Sequence, residues 1–140
     1  LRDADIDMVA SGDLDDRVRK RALHVVQENA RVFETSEALR RNQPDLAGDL
    51  MNQSHESLQT LFEVTCPETD ALAAGARQVE GVHGARQMGG GFGGAVLALV
   101  DAATAQAAQE EIVRRYEAAA GVRTSGFACR IAGGVRELSH

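Results

Sequence analysis

Up to about residue 81 the apolar positions recur at helical spacing. Between Asp13 and Asn42, Leu14, Val18, Ala22, Val25, Val26 and Phe33 fall on one side, while Arg17, Lys20, Arg21, Glu28 and Arg31 cover the rest. Asp13, Asp15 and Asp16 stand where a helix dipole favours negative charge, Arg40 and Arg41 stand at the other end, and Pro44 follows. The spacing predicts one long helix there, behind a short lead of one or two helical turns closing at Gly12. A second helix is predicted from Asp45 to Phe62, with Leu46, Leu50, Met51, Leu58, Leu61 and Phe62 as its apolar stripe and Ser54 and His55 inside it. Pro67 in a first turn and Gly81 as a stop bound a third helix.

The period then changes. Residues 82–88 predict a strand, and the continuous apolar run AVLALV at 95–100 has the character of a strand buried on both faces. Asp101 can cap a fourth helix with Ala105, Ala108, Ile112, Tyr116 and Ala119 inward and Gly121 at its end. The stretch GFACRIAGG alternates Phe127, Cys129 and Ile131 inward with Arg130 outward, which predicts a last strand before a frayed tail. With no internal repeat and no linker, residues 1–140 read as a single α+β domain. A small sheet is covered by helices, and a long helical region precedes it.

Composition narrows the class of partner. The net charge is −6, and Lys20 is the only lysine among 15 basic residues. Aromatics make up 4%. This balance leaves no electrostatic footprint for nucleic acid or anionic membrane, and few rings on which bases could stack. Cys66 and Cys129 are isolated and read as reduced, small apolar residues of a cytoplasmic protein. No window approaches the length of an apolar membrane span, and nothing resembles a signal peptide. No pair of histidines has metal-ligand spacing, so no metal bound by this chain is expected.

The candidate chemistry lies in GARQMGGGFGGAVLALV, residues 84–100, with six glycines. Gly89, Gly91 and Gly94 fit G-x-G-x-x-G, but a strand follows where the dinucleotide fingerprint needs a helix. A Walker A loop needs a Lys followed by Ser or Thr, which is absent. What remains is a strand–loop–strand of bare backbone, suited to close approach by a ligand or a second chain segment. Its N–H groups can also form an anion-binding nest. A glycine-rich hairpin without a ligand is the other reading, although two glycines suffice for a turn. No side chain in the loop does acid–base chemistry, so it can shape a site but not run a reaction.

These residues resemble the galactokinase branch of the GHMP small-molecule kinases. Residues 84–100 are similar to that family's third motif, Gly-Ala/Val-Arg-Met-Thr-Gly-Gly-Gly-Phe-Gly-Gly-Cys before an apolar strand. LRDADID, RKRALHVVQENARV, LMNQSHESLQTLFEVTCPETDAL and FACRIAGGV are similar, in order, to further stretches of the same region. Three departures stand out. Gln87–Met88 replaces Met-Thr, Ala95 replaces Cys, and Leu61–Phe62 stands where Asp-Tyr is common.

The resemblance implies a ferredoxin-like C-terminal domain of an enzyme that moves the γ-phosphoryl group of ATP to the C1 hydroxyl of galactose, with Mg²⁺. The sugar-binding motif, the phosphate loop and the catalytic aspartate would lie in an N-terminal half not matched here. This chain would then carry no catalytic residue, ligate no Mg²⁺ and be inactive alone, with that N-terminal half and a small sugar as its partners. Met88, Gly89, Gly90, Gly91, Phe92, Gly93 and Gly94 would line the ATP and sugar cleft, with Ser54 and His55 as further wall. From the pattern alone, Ser54 and His55 read as a hydrogen-bonded pair packed on the sheet, and His24 as structural. His83 reads as a loop or strand residue at the surface, and Arg86 as an outward strand arginine, with contact to a phosphate or a carboxylate as its other reading. A stand-alone ligand-binding or interaction domain of the same fold, without catalytic activity, is the alternative.

Overall fold

A computed structural model describes residues 3–129. In order these form α1 (Ile6–Ser11), α2 (Asp16–Arg40), α3 (Pro44–Ser57), a π-helical turn (Leu58–Phe62), α4 (Pro67–Ala76), β1 (Val82–Met88), β2 (Ala95–Val100) and α5 (Ala105–Ala120). The local punctuation is what the residues require. Asp15 caps α2 by accepting from the Val18 N–H at 2.9 Å. Pro44 and Pro67 open α3 and α4, and Gly121 closes α5 in the left-handed conformation. The Arg19 guanidinium donates to the carbonyls of Val9, Ala10, Gly12 and Leu14, which clamps the turn between α1 and α2.

Several boundaries differ from the sequence expectation. The second helix is not α-helical to Phe62: it widens at Leu58 into the π-helical turn and stops at Glu63, which takes φ 56°. The Thr60 hydroxyl donates to the Glu56 carbonyl there at 2.8 Å, and the Val64 N–H to the Leu58 carbonyl at 3.1 Å. The third helix ends at Ala76 rather than Gly81, which instead takes φ 80° immediately before β1. Thr104, not Asp101, precedes α5, and the Asp101 carboxylate lies instead 3.1 Å from His83 Nε2. On α2 the buried residues are Ala22, His24, Val26 and Ala38, while Phe33 and Val18 point to solvent. Leu46 of α3 and Ala119 of α5 are exposed as well. Residues 126–129 form no strand, and Phe127 is 86% exposed. Ile131 and the rest of that predicted strand lie outside the described residues.

The sheet among the described residues is one antiparallel pair, with Ala85 opposite Ala98, Arg86 opposite Leu97, Gln87 opposite Val96 and Met88 opposite Ala95. α4 and α5 cover one face, where Ala73, Ala76 and Ala85 meet Val96, Ala98 and Ile112. Small residues on both sides of this contact let helix and strand approach closely. Among the described residues helices cover only one face of β2, so it is not buried on both sides as its apolar run predicted, and Leu97 is 44% exposed. The sheet is nonetheless a small antiparallel one covered by helices, within an α+β domain.

The outer edge of β1 is occupied by α3, in the place of a third strand. Asn52 Oδ1 accepts from the Ala85 N–H at 3.0 Å and His55 Nδ1 from the Gln87 N–H at 3.1 Å. The Arg77 guanidinium of the residue after α4 donates to the Ala85 carbonyl at 2.7 Å. Side chains thus satisfy an edge that would otherwise be open to another chain. Close approach is possible because backbone meets backbone. A Cβ on Gly48 would lie 2.1 Å from the His83 carbonyl oxygen, and one on Gly84 would lie 2.2 Å from that of Gly48.

Candidate functional site

The loop between β1 and β2 is built of left-handed backbone. Gly89, Gly91, Phe92, Gly93 and Gly94 have φ of 97°, 92°, 58°, 133° and 102°. A left-handed residue with a side chain is strained by roughly 1–2 kcal/mol, so Phe92 needs an external hold. It has one, since its N–H donates to the Val64 carbonyl at 2.6 Å. That carbonyl also accepts from Gln87 Nε2 at 3.3 Å, while Gln87 Oε1 accepts from the Thr69 hydroxyl at 2.5 Å. Gln87 is 1% exposed. The loop is therefore pinned to the chain that follows the π-helical turn, and its base is pinned to the start of α4. The phenyl ring of Phe92 is 78% exposed at the loop tip.

The other sheet face, by the alternation of strand residues, carries Arg86, Met88, Ala95 and Leu97. Met88 is 49% exposed. The expected cleft residues Met88–Gly94 thus stand together at the end of the sheet where, among the described residues, Met88, Ala95 and Leu97 are exposed. Ser54 and His55 stand elsewhere, buried where α3 meets α2 and β1. Their polar atoms are engaged. The Ser54 hydroxyl donates to Glu28 Oε2, and His55 Nδ1 accepts from Gln87. The acceptor role of Nδ1 puts the ring proton on Nε2, which lies 3.3 Å from Asp70 Oδ1, a buried oxygen with no well-formed hydrogen bond. His24 is buried too, bonded to the Ser57 hydroxyl at 2.8 Å and stacked on Phe62.

His83 stands in β1 between two exposed carboxylates, with its own side chain 14% exposed. It is the extra residue where the β1–β2 register slips, and such a bulge re-aims its side chain. Its Nδ1 lies 2.6 Å from Asp45 Oδ1 and its Nε2 3.1 Å from Asp101 Oδ1. Both contacts are hydrogen bonds only when both nitrogens carry protons. The Asp45 bond, opposed by burial and helped by Asp101, raises the His83 pKa. His55 is shifted the other way, first by burial and then by Arg77, and burial lowers His24 as well.

The two directions give opposite pH effects. The His83 contribution is complete below the ordinary histidine value of about 6.5 and is lost as pH rises through the folded value. Those of His55 and His24 are complete above about 6.5 and are lost as pH falls through theirs. In denaturant unfolding between pH 5 and pH 9, the wild type is expected to exceed His83→Gln in stability at the acid end, with the gap closing above neutrality. A gap that stays constant or widens with pH would refute the bridging role.

Two concavities lie away from the loop. An apolar cleft of about 640 Å³ separates α1 from the start of α2 and Phe62, and a polar one of about 410 Å³ lies beside Asn52, His55 and Arg77. Among the described residues no group of His, Cys, Asp and Glu is placed to hold a metal ion. No described helix is long and apolar enough to cross a membrane.

Comparison with known proteins places this geometry. Residues 35–118 match the family model for the C-terminal region of GHMP kinases. A galactokinase of Thermotoga petrophila is 39% identical over 121 residues, covering 86% of this chain and 35% of that protein. A galactokinase of Bacillus subtilis is 36% identical over 138 residues, 99% of this chain and 35% of its own length. Among solved structures, Lactococcus lactis galactokinase complexed with galactose aligns with a TM-score of 0.78 at 34% identity, over 86% of this chain and 32% of that one. The chain thus spans about a third of the length of the relatives it matches. Kinase and transferase are the class these relatives share, and this chain belongs to the GHMP kinase family, whose C-terminal domain it carries.

Proposed function

We propose that this chain works as the C-terminal domain of a cytoplasmic galactokinase-type enzyme that transfers the γ-phosphoryl group of ATP to the C1 hydroxyl of galactose. The reading rests on one observation above all. The pinned glycine loop and the sheet face of Met88, Ala95 and Leu97, exposed among the described residues, adjoin one another. An apolar face of this kind beside a ligand-shaped loop suits docking of a second lobe. The remaining two-thirds of the relatives' length is the partner that would cover it. Met88–Gly94 would then form one wall of the cleft.

Phosphoryl transfer depends on positioning and charge stabilisation more than on covalent chemistry by the protein. The residues present fit a nucleotide in one respect: a Cβ on Gly89, Gly90 or Gly93 would meet nothing within 4 Å, so the loop leaves room for phosphate oxygens to reach main-chain N–H groups. ATP supplies the transferred group. The loop orients it and, once the second lobe is seated, excludes water. The loop holds no carboxylate, so Mg²⁺ would find its ligands in the other lobe.

The test is a coupled kinase assay on the chain alone and on the chain joined to its upstream two-thirds. Galactose-dependent ATP consumption is expected only for the joined protein. Turnover by the chain alone, or a joined, folded protein without activity towards galactose, would overturn the reading.

A further inference from the structure

One cluster beside the loop is not used by the function proposed above. Glu28 of α2 bonds Arg31 through Oε1. Its Oε2 accepts from the Ser54 hydroxyl of α3 at 2.5 Å and lies 3.7 Å from Nη1 of Arg86 on β1. Arg86 Nε donates to the Gln87 carbonyl at 3.1 Å, and Nη2 has no partner among the described residues. His24 and His55 border this cluster and are kept neutral by burial, so two guanidinium charges share a single carboxylate. Of the other carboxylates nearby, Asp70 acts on His55 and Arg77, and Glu56 on Arg77.

A guanidinium partly withdrawn from water is costly when unpaired, and Glu28 is already committed to Arg31 and Ser54. Arg86 stands opposite Leu97, two residues before Met88 and so on the same side of the strand as the entrance to the loop. Its side chain is 34% exposed, against 21% for Glu28. Arg86 is therefore the more exposed member of this pair and the one on the strand that runs into the loop.

We propose that Arg86 binds a phosphoryl oxyanion in the cleft, and that Glu28 and Ser54 are positioning residues that hold its guanidinium beside the glycine loop. The planar fork of arginine donors matches phosphate oxygens, and the loop N–H groups would complete the cradle. The inference rests on the proposed kinase reading and gives Ser54 a part in it without contact to substrate. The oxyanion has two possible sources, the phosphates of ATP and the phosphate of the sugar 1-phosphate product.

The experiment measures dissociation constants for MgATP and for galactose 1-phosphate by calorimetry in the joined, full-length protein, with turnover followed in parallel. Arg86→Gln is expected to weaken one of the two by about tenfold or more, and the ligand affected identifies the source. Arg86→Lys keeps the charge without the fork and should fall between. Ser54→Ala should weaken the same ligand by about threefold in the wild-type background and add nothing to Arg86→Gln, since its effect passes through Arg86. Arg86→Gln with both constants within twofold of wild type overturns the inference. If Arg86→Gln fails to fold, Arg86→Lys with unchanged constants does the same. Normal turnover with unchanged constants leaves the kinase reading standing and removes this one. A joined wild type without galactose-dependent turnover, in which Arg86→Gln still weakens binding, removes the kinase reading and leaves the oxyanion site standing.

Discussion

Gly48→Ala is expected to lower the stability of the chain by about 3 kcal/mol or to prevent folding, the upper end of what overpacking costs. The added methyl would stand 2.1 Å from the His83 carbonyl oxygen and 2.3 Å from its carbonyl carbon, both main-chain atoms that cannot rotate away. To admit it, α3 must move off β1. That would stretch the bonds from Asn52 to the Ala85 N–H and from His55 to the Gln87 N–H. The sheet edge would open, and with it the strand that carries the glycine loop. Gly75→Ala is the matched control. It lies inside α4 with nothing within 4 Å of an added Cβ, so it should gain up to about 1 kcal/mol from helix propensity. Urea unfolding of the three proteins decides the matter. A Gly48→Ala midpoint indistinguishable from wild type would mean that helix and strand are not in main-chain contact.

Gly91→Val is expected to cut kinase turnover of the joined protein by about 100-fold, the scale of loss when a site is displaced by about 1 Å. Two effects combine at this position. Its φ of 92° is closed to a branched side chain, and a Cβ would stand 2.8 Å from that of Val64, the residue whose carbonyl pins Phe92. Gly90→Val separates loop shape from cleft occupancy. Gly90 has no positive φ and open space around it, so the substitution should leave the melting temperature within about 2 °C of wild type. Its valine would nonetheless project into the space proposed for the nucleotide, and turnover should fall by about tenfold or more. If Gly90→Val keeps full turnover, the loop does not border the reacting groups.

Much of this chain could be read before folding was considered. Asp15, Pro44, Pro67 and Gly121 mark helix ends through local geometry, and the structure places each at such an end. The loop was legible because Gly89, Gly91, Gly93 and Gly94 stand where the backbone takes positive φ, a requirement set within a few residues. Phe92 is the one side chain between Gly89 and Gly94, but its left-handed strain and the Val64 carbonyl that relieves it exist only in the fold. Gln87 looked like a bare departure from the family pattern. Buried between Thr69 and Val64, it is a brace for the loop.

Apolar periodicity reports which side of an element avoids water, not what covers it. For that reason the run Ala95–Val100 read as buried twice over, although helices cover only one of its faces. Phe33 and Val18 read as core for the same reason.

The sequence by itself determined the order of helices and strands, the position and bareness of the loop, and, through five stretches in register with one family, the kinase lineage. These rest on local conformational preferences and on motif spacing, which the chain carries in linear form. Only the tertiary structure decided that α3 closes the edge of β1 through Gly48 and Gly84, and that His83 joins Asp45 to Asp101. It alone brought Glu28, Ser54 and Arg86 together. Each of these joins residues more than fifteen positions apart, and their chemistry exists only once packing has brought them within hydrogen-bonding or van der Waals reach.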